Sequence, residues 1–373
     1  GRSEMRLALE AVTAAVADAG LDLQDIDGFV RYTYDTNSEA ALTTALGLQN
    51  VRYYGEVDFG GVNSMASAAQ AAAAVEAGRA NCVVVYRALN ARSGTRFGRG
   101  ERVLAAHGDY AVASARESLG DIYGAPFGLV APPQFHALYA RRYFHQYGLS
   151  DERGADMLAA VAVSQREYAN RNPRALTRDK PLTREQYLNS RMLASPLRIF
   201  DFCLETDGAM AIVVASPSVA RRSRQPAVQI LAGSQYIYPG SAPMFLYAKD
   251  MHSFVPPKVG EQLFAHAGVT RSDVDVAGIY DATSILVPLV LEDFGFVERG
   301  GAYDFLTSGQ NRINGALPVN THGGLLSEGY FHGLNTIAEM VRQLRGTSAN
   351  QVRGAQVAFL TVRGASSLIL GRP

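Results

Sequence analysis

The order of helices and strands along the chain predicts a layered α/β fold built from two similar halves. Segments with apolar residues at helical spacing alternate with short apolar runs bounded by glycine, as expected of sheets covered by helices. The same succession of elements then returns late in the chain, which marks an internal repeat.

The first helix is read from Arg6 to Ala17, where Leu7, Leu9, Val12, Ala15 and Val16 share a face, and Gly20 stops it. The strand Gly28-Phe29-Val30 follows. The return runs through Glu261–Ala267, Gly268 and the strand 276–280, with Asp273-Val274-Asp275 where the first copy has Asp25-Ile26-Asp27-Gly28. A second pairing sets 60–77, Gly78 and Val83-Val84-Val85 against 329–344, Gly346 and Val357-Ala358-Phe359-Leu360. Between the halves, Arg87–Ser195 reads as irregular and rich in Arg, Tyr and Gly. An insertion of that size covers an active site or makes an interface. The expected division is a first half of residues 1–86 and 196–225, an insertion over 87–195, and a second half over 226–373.

Composition narrows the function. The 373 residues are 47% hydrophobic and 19% charged, which suits a well-buried enzyme. A formal net charge of zero gives no reason to expect nucleic acid as a partner. No apolar run reaches the ~20 residues that span a bilayer, and two cysteines, Cys82 and Cys203, make neither a disulfide framework nor a thiolate metal site. Cytoplasmic residence is the default expectation.

Several stretches together resemble the thiolase superfamily, above all its sterol-carrier-protein-type members. Asp201–Ala215 resembles the segment D-C-x-x-x-x-D-G-A-A-A-V-V-L-A-S, Gly323–Gly329 the loop before the G-H-P turn, and Gln343-Leu344-Arg345-Gly346 the end of the next helix. The resemblance covers almost the whole chain and implies two βαβαβαββ halves in five layers, α-β-α-β-α.

The departures decide the chemistry. The family's nucleophile motif C-x-x-G-S-x-A becomes Gly60-Gly61-Val62-Asn63-Ser64-Met65-Ala66, with Gly60 at the cysteine position. The G-H-P turn becomes Gly329-Tyr330-Phe331, and H-D-C-F becomes Tyr280-Asp281-Ala282-Thr283. The C-terminal G-G-A-C loop is Arg363-Gly364-Ala365-Ser366. Both cysteines and both histidines are gone, so the usual acyl-enzyme cannot form. Tyrosine stands at both histidine positions, and in the thiolase fold those turns converge on one pocket. A phenol donates a hydrogen bond and exchanges a proton. With an ordinary pKa near 10, its use as a base requires a pocket that favours the phenolate.

Cleaving the bond beta to a thioester carbonyl leaves a CoA enolate, which an oxyanion hole of the thiolase kind stabilises. A retro-aldol reaction then needs only an acid and a base, and Tyr280 and Tyr330 are the candidates. This pattern is similar to the actinobacterial steroid side-chain-cleaving aldolases. The similarity implies a 17-hydroxy-3-oxo-pregnene-20-carboxyl-CoA as substrate, with a 17-keto steroid and propionyl-CoA as products. It further implies a homodimer joined to a small OB-fold partner, with zinc in the partner only and no cofactor in this chain. Gly364 is expected to allow close backbone approach to the thioester, and Ser366 and His332 are further candidates for contact with substrate or oxyanion.

Other chemistries remain open at this point. A Schiff-base aldolase needs a desolvated lysine, but Lys180 and Lys249 adjoin aspartates and Lys258 follows two prolines. The seven histidines are too scattered for a metal aldolase, although His322 and His332 flank Tyr330 as potential supports. Ser64 reads as a helix-capping or packing residue, and Ser366 offers an acyltransferase reading. Tyr139, Tyr143, Tyr147, Tyr236 and Tyr238 read as core or interface packing. From another class, the chain could be a non-catalytic acyl-CoA or lipid carrier subunit.

Overall fold

The computed structural model describes residues 1–33, 35–57, 63–94, 125–129, 132–236, 257–363 and 365–372. Helix α1 (Glu4–Ala19) starts at Ser3, whose hydroxyl accepts the Arg6 N–H at 3.2 Å, and ends at Gly20 with a left-handed φ of 70°. It leads to β1 (Gly28–Tyr32) and β2 (Tyr53–Val57), and α2 (Ser64–Glu76) leads to β3 (Cys82–Asn90). Next come α3 (Pro132–Gln146), α4 (Asp151–Arg171) and a hairpin of β4 (Met192–Ala194) and β5 (Leu197–Arg198). Then follow β6 (Asp207–Ala215), β7 (Gln229–Gln235), α5 (Pro257–Ala267), β8 (Val276–Ile279) and α6 (Leu286–Asp293). The chain finishes with α7 (Leu334–Arg345), β9 (Val357–Val362) and β10 (Ser366–Gly371).

Two four-stranded sheets result, ordered β2-β1-β3-β6 and β7-β10-β9-β8. In the first, β1 is parallel to β2 and β3, and β3 is antiparallel to β6. The second repeats this pattern: β8 is parallel to an isolated bridge at Val319 and to β9, and β9 is antiparallel to β10. Strand β7 adds an antiparallel edge. Helix α1 covers one face of the first sheet and α5 the far face of the second, while α2 and α7 lie between the sheets and touch both. The layers are therefore α-β-α-β-α.

Strand periodicity explains this sorting. Val84, Tyr86 and Ala88 of β3 join the cluster under α1, whereas Val83 and Val85 join the central cluster with α2 and α7. The central helix α2 is rich in alanine because it must fit between two sheets; a Cβ placed on Gly233 of β7 would come within 2.7 Å of the Ala69 Cβ.

The stretch expected to be irregular contains much regular structure. Strand β3 runs on to Asn90, and α3 and α4 are long helices. Their stripe of Tyr139, Tyr143, Met157, Leu158 and Val161 packs into one cluster with Leu286, Leu289 and Val290 of α6. Arginines on the outer faces of these helices mask that stripe when the sequence is read by composition. No helix among the described residues is long and apolar enough to cross a membrane.

Candidate active site

The site lies where the parallel strands β1 and β8 end. Tyr32 is the last residue of β1 and Tyr280 follows the last residue of β8, so the repeat brings one tyrosine from each half to the central layer. Tyr330 comes from the turn before α7, and its backbone N–H donates to Thr206 Oγ1 at 2.9 Å. Asn335 Nδ2 donates to the Gly329 carbonyl at 3.1 Å and to Glu328 Oε2 at 2.9 Å, which fixes the same turn from its other end.

These anchors place the phenol oxygens of Tyr280 and Tyr330 2.8 Å apart, within hydrogen-bond reach, with their rings edge to face. Tyr280 is buried. Burial pushes both phenols above their ordinary pKa. The hydrogen bond between them pulls Tyr280 back down and pushes Tyr330 further up. The pocket thus favours neutral phenols and does not meet the condition under which one tyrosine would serve as a phenolate base: the surroundings withhold the solvation that a phenolate needs.

His332 lies beside the pair, its ring 4.9 Å from that of Tyr330. Ser64 opens α2 fully buried, close enough to Gly333 that a Cβ there would meet its Oγ at 2.6 Å and the Tyr280 ring at 3.1 Å. With its left-handed φ of 85°, Gly333 is a position that glycine fills without strain. Asp281 turns away from the pair and accepts the Leu325 N–H at 2.9 Å, and burial pushes its carboxyl up to about 7.

Ser366 opens β10, buried and paired with Val362 and Gln235. His322 lies 3.9 Å from Glu328, and burial holds its imidazole down at about 4, so it remains neutral. Gly60, Gly364, Tyr238 and Lys249 lie outside the described residues. Cys82 is a core residue of β3, and burial pushes its thiol up to about 12.

Four residues that the sequence did not single out complete the surroundings. Arg87 donates from Nε to His332 Nδ1 at 2.8 Å and lies 3.2 Å from the Asp35 carboxylate. Arg363 is buried at a left-handed φ of 47°, and its charge acts on Tyr280, Tyr139 and His136. His136 pairs through Nδ1 with Thr283 Oγ1 at 3.1 Å. None of these residues lines the cleft of about 750 Å³ between α4 and residues 303–315, which opens elsewhere on the molecule.

Residues 242–369 match the family described as thiolase C-terminal domain-like. Over its full length the chain is 42% identical to a 17-hydroxy-3-oxo-4-pregnene-20-carboxyl-CoA lyase of Mycobacterium tuberculosis, covering 95% of that protein. It is 41% identical to a steroid side-chain-cleaving aldolase of Thermomonospora curvata, covering 100% of this chain and 94% of that one. The chain belongs to the side-chain-cleaving aldolases of the thiolase superfamily. A solved structure described as an "Ltp2-ChsH2(DUF35) aldolase" superposes on this aldolase with a TM-score of 0.89 at 39% identity, covering 100% of this chain and 94% of that one. Human mitochondrial 3-ketoacyl-CoA thiolase shares the fold at a TM-score of 0.66 and 14% identity, covering 99% of this chain and 93% of that one. The layered α/β architecture and the loss of the thiolase nucleophile therefore meet in one family, whose members are carbon–carbon lyases.

Proposed function

We propose that the chain cleaves a 17-hydroxy-3-oxo-pregnene-20-carboxyl-CoA by a retro-aldol reaction, releasing a 17-keto steroid and propionyl-CoA. The observation that carries this reading is the 2.8 Å contact between the Tyr280 and Tyr330 hydroxyls in a pocket that keeps both neutral. The activities named for the two relatives support the substrate.

In the reaction the bond between the carbinol carbon and the α-carbon of the thioester breaks. Its electron pair moves to the α-carbon and on to the thioester oxygen, while the carbinol loses its proton and becomes the ketone. As the enolate develops, its α-carbon takes one proton in the same concerted shift, so neither phenol carries a second proton at any point. One proton leaves the substrate and one returns, so a pair of hydrogen-bonded phenols suffices as a relay. The carbinol proton passes to one phenol oxygen, that phenol passes its own proton to the second, and the second protonates the α-carbon. No free phenolate is required, which removes the conflict between raised phenol pKa values and base catalysis. His332 and the backbone around Gly364 and Ser366 are the proposed contacts for the enolate oxygen.

The chain itself is proposed to use no metal or cofactor beyond the CoA of its substrate. It acts in the cytoplasm as a homodimer bound to a small OB-fold, zinc-carrying partner. The two-protein description of the similar aldolase structure supports a partner. Among the described residues β2 is an edge strand, on which Tyr54 is 74% exposed, and this supports pairing between copies.

The test is to incubate the chain, co-purified with its partner, with the 17-hydroxy steroid thioester and to follow products by liquid chromatography and mass spectrometry. Equal amounts of propionyl-CoA and 17-keto steroid are expected. Thioester that stays bound but intact would replace this reading with that of an acyl-CoA carrier.

A further inference from the structure

Arg87 is two residues beyond Val85 on the same face of β3, so its side chain enters the central layer rather than the α1 side. There it links two buried groups. Its Nε–H donates to Nδ1 of His332 at 2.8 Å, and its Nη1 is 3.2 Å from Asp35 Oδ2. Asp35 is held in turn by the Ala88 N–H at 2.8 Å on Oδ2, and by the backbone and side-chain N–H groups of Asn37, each at 2.9 Å on Oδ1. Asp35, Arg87 and His332 are all buried.

A guanidinium carries donors and no acceptor. Nδ1 of His332 must therefore present its lone pair to Arg87, and in the neutral ring the hydrogen stands on Nε2. His332 also has a φ of 51°, a left-handed conformation that residues with a Cβ adopt rarely and that clusters at functional sites. Its ring meets Tyr330 edge to face at 4.9 Å and Tyr32 at 6.2 Å.

We propose that Arg87 is a positioning residue of the aldolase: by occupying Nδ1 it fixes His332 as a neutral Nε2–H donor to the enolate oxygen beside Tyr330. This rests on the retro-aldol reading for the identity of the oxygen, but the tautomer does not. Among the described residues, the titratable groups facing His332 include Arg87 from β3, Tyr32 at the end of β1 and Tyr330 from the second half, with Asp35, from the turn after β1, behind Arg87. Asp35 is already engaged by Arg87, and the phenols are neutral, so nothing in this set favours an imidazolium. Burial first, and then the Arg87 charge, push the imidazole well below its ordinary pKa.

The first measurement is nitrogen-15 NMR of the histidine-labelled protein, with His332 identified as the signal missing in His332→Gln. The Nε2–H tautomer should persist unchanged from about pH 5.5 to about pH 8.5, a window around the ordinary imidazole pKa. An Nδ1–H signal, or titration inside that window, would overturn the proposal whether or not the protein turns over any substrate. The second is kinetic. His332→Gln, which keeps an N–H donor, should stay within about 10-fold of the parent kcat, whereas His332→Phe should lose about 100-fold with a smaller change in KM. Arg87→Met should lose a comparable factor, because nothing then fixes which ring nitrogen of His332 carries the hydrogen. Full activity in His332→Phe would sink the donor role. Because Arg87→Met strands a buried carboxylate, the His332 variants and the labelled parent protein decide the matter if that variant folds poorly. A parent protein that shows the expected tautomer but leaves the steroid thioester intact would count against the aldolase reading alone.

Discussion

Tyr187 and Tyr280 are both buried and both hydrogen-bonded through the phenol, but their partners differ in charge. Tyr187 lies 2.8 Å from each oxygen of the Asp201 carboxylate, which Ser284 and the Arg198 N–H also engage. Tyr280 meets another phenol, that of Tyr330. Against a carboxylate the phenol proton has one favoured place, because moving it would leave a phenolate in a dry interior. Between two neutral phenols either hydroxyl can donate to the other, so a proton can pass along the pair when the substrate supplies one at one end and takes one at the other. The first pairing holds the β4–β5 region to the core; the second is able to relay.

The sharpest way to break this contrast is to remove the phenol oxygens one at a time. Tyr280→Phe and Tyr330→Phe should each lower kcat by about 10³-fold or more with folding intact. If the pair acts as one relay, the double variant should be scarcely worse than either single, whereas independent acid and base roles would multiply. Steady-state kinetics on the four proteins of that cycle distinguish the two outcomes.

A smaller effect separates the two carboxyls next to these tyrosines. Burial raises Asp201 to about 6 and Asp281 to about 7 from an ordinary value near 4. A carboxyl raised on folding stabilises the chain below the unfolded pKa, and that contribution is lost as pH rises through the folded pKa. Each is worth on the order of 3–4 kcal/mol at 1.36 kcal/mol per pH unit. The urea midpoint should therefore fall from pH 5 to pH 8, and Asp281→Asn should flatten the part of that fall near pH 7. A rising midpoint would mean that the ion-paired surface carboxylates outweigh both buried groups.

Tyr187→Phe should cost about 1–3 kcal/mol of stability by taking a donor from Asp201, while kcat per folded molecule stays near the parent value. A large loss of kcat in a stable Tyr187→Phe protein would show that the carboxylate-bound phenol also matters to the chemistry.

How much of this was legible in the sequence follows from what each feature depends on. The layers were readable because Leu7, Val12 and Val16, and later the strand at 276–280, announce their period locally. The tyrosine pair was readable because both residues occupy turns of a known motif, although they are 50 positions apart. The charge state of the pair was not readable, because a residue's type does not disclose how dry its surroundings are. Arg87 was hidden for a different reason. It lies inside strand β3 with nothing unusual around it, and its partner His332 is 245 positions away. Asp35 and Arg363 likewise gain meaning only when separate turns meet. The helices of the insertion were missed because their apolar stripe is interrupted by arginine on the outer faces.

The alanine-lined α2 between the two sheets has a further consequence for how this chain can change over generations. A residue on an outer helix touches one sheet, so its substitution is a private matter for one half. Ala69 of α2 faces Gly233 of β7 in the second half, while the same helix lies on β1 and β3 of the first. A single added methyl group in that layer presses on both halves at once, and with them on the strand ends that carry Tyr32 and Tyr280. Divergence in substrate preference therefore has to come from the periphery, through the insertion and the loops, while the middle layer stays small.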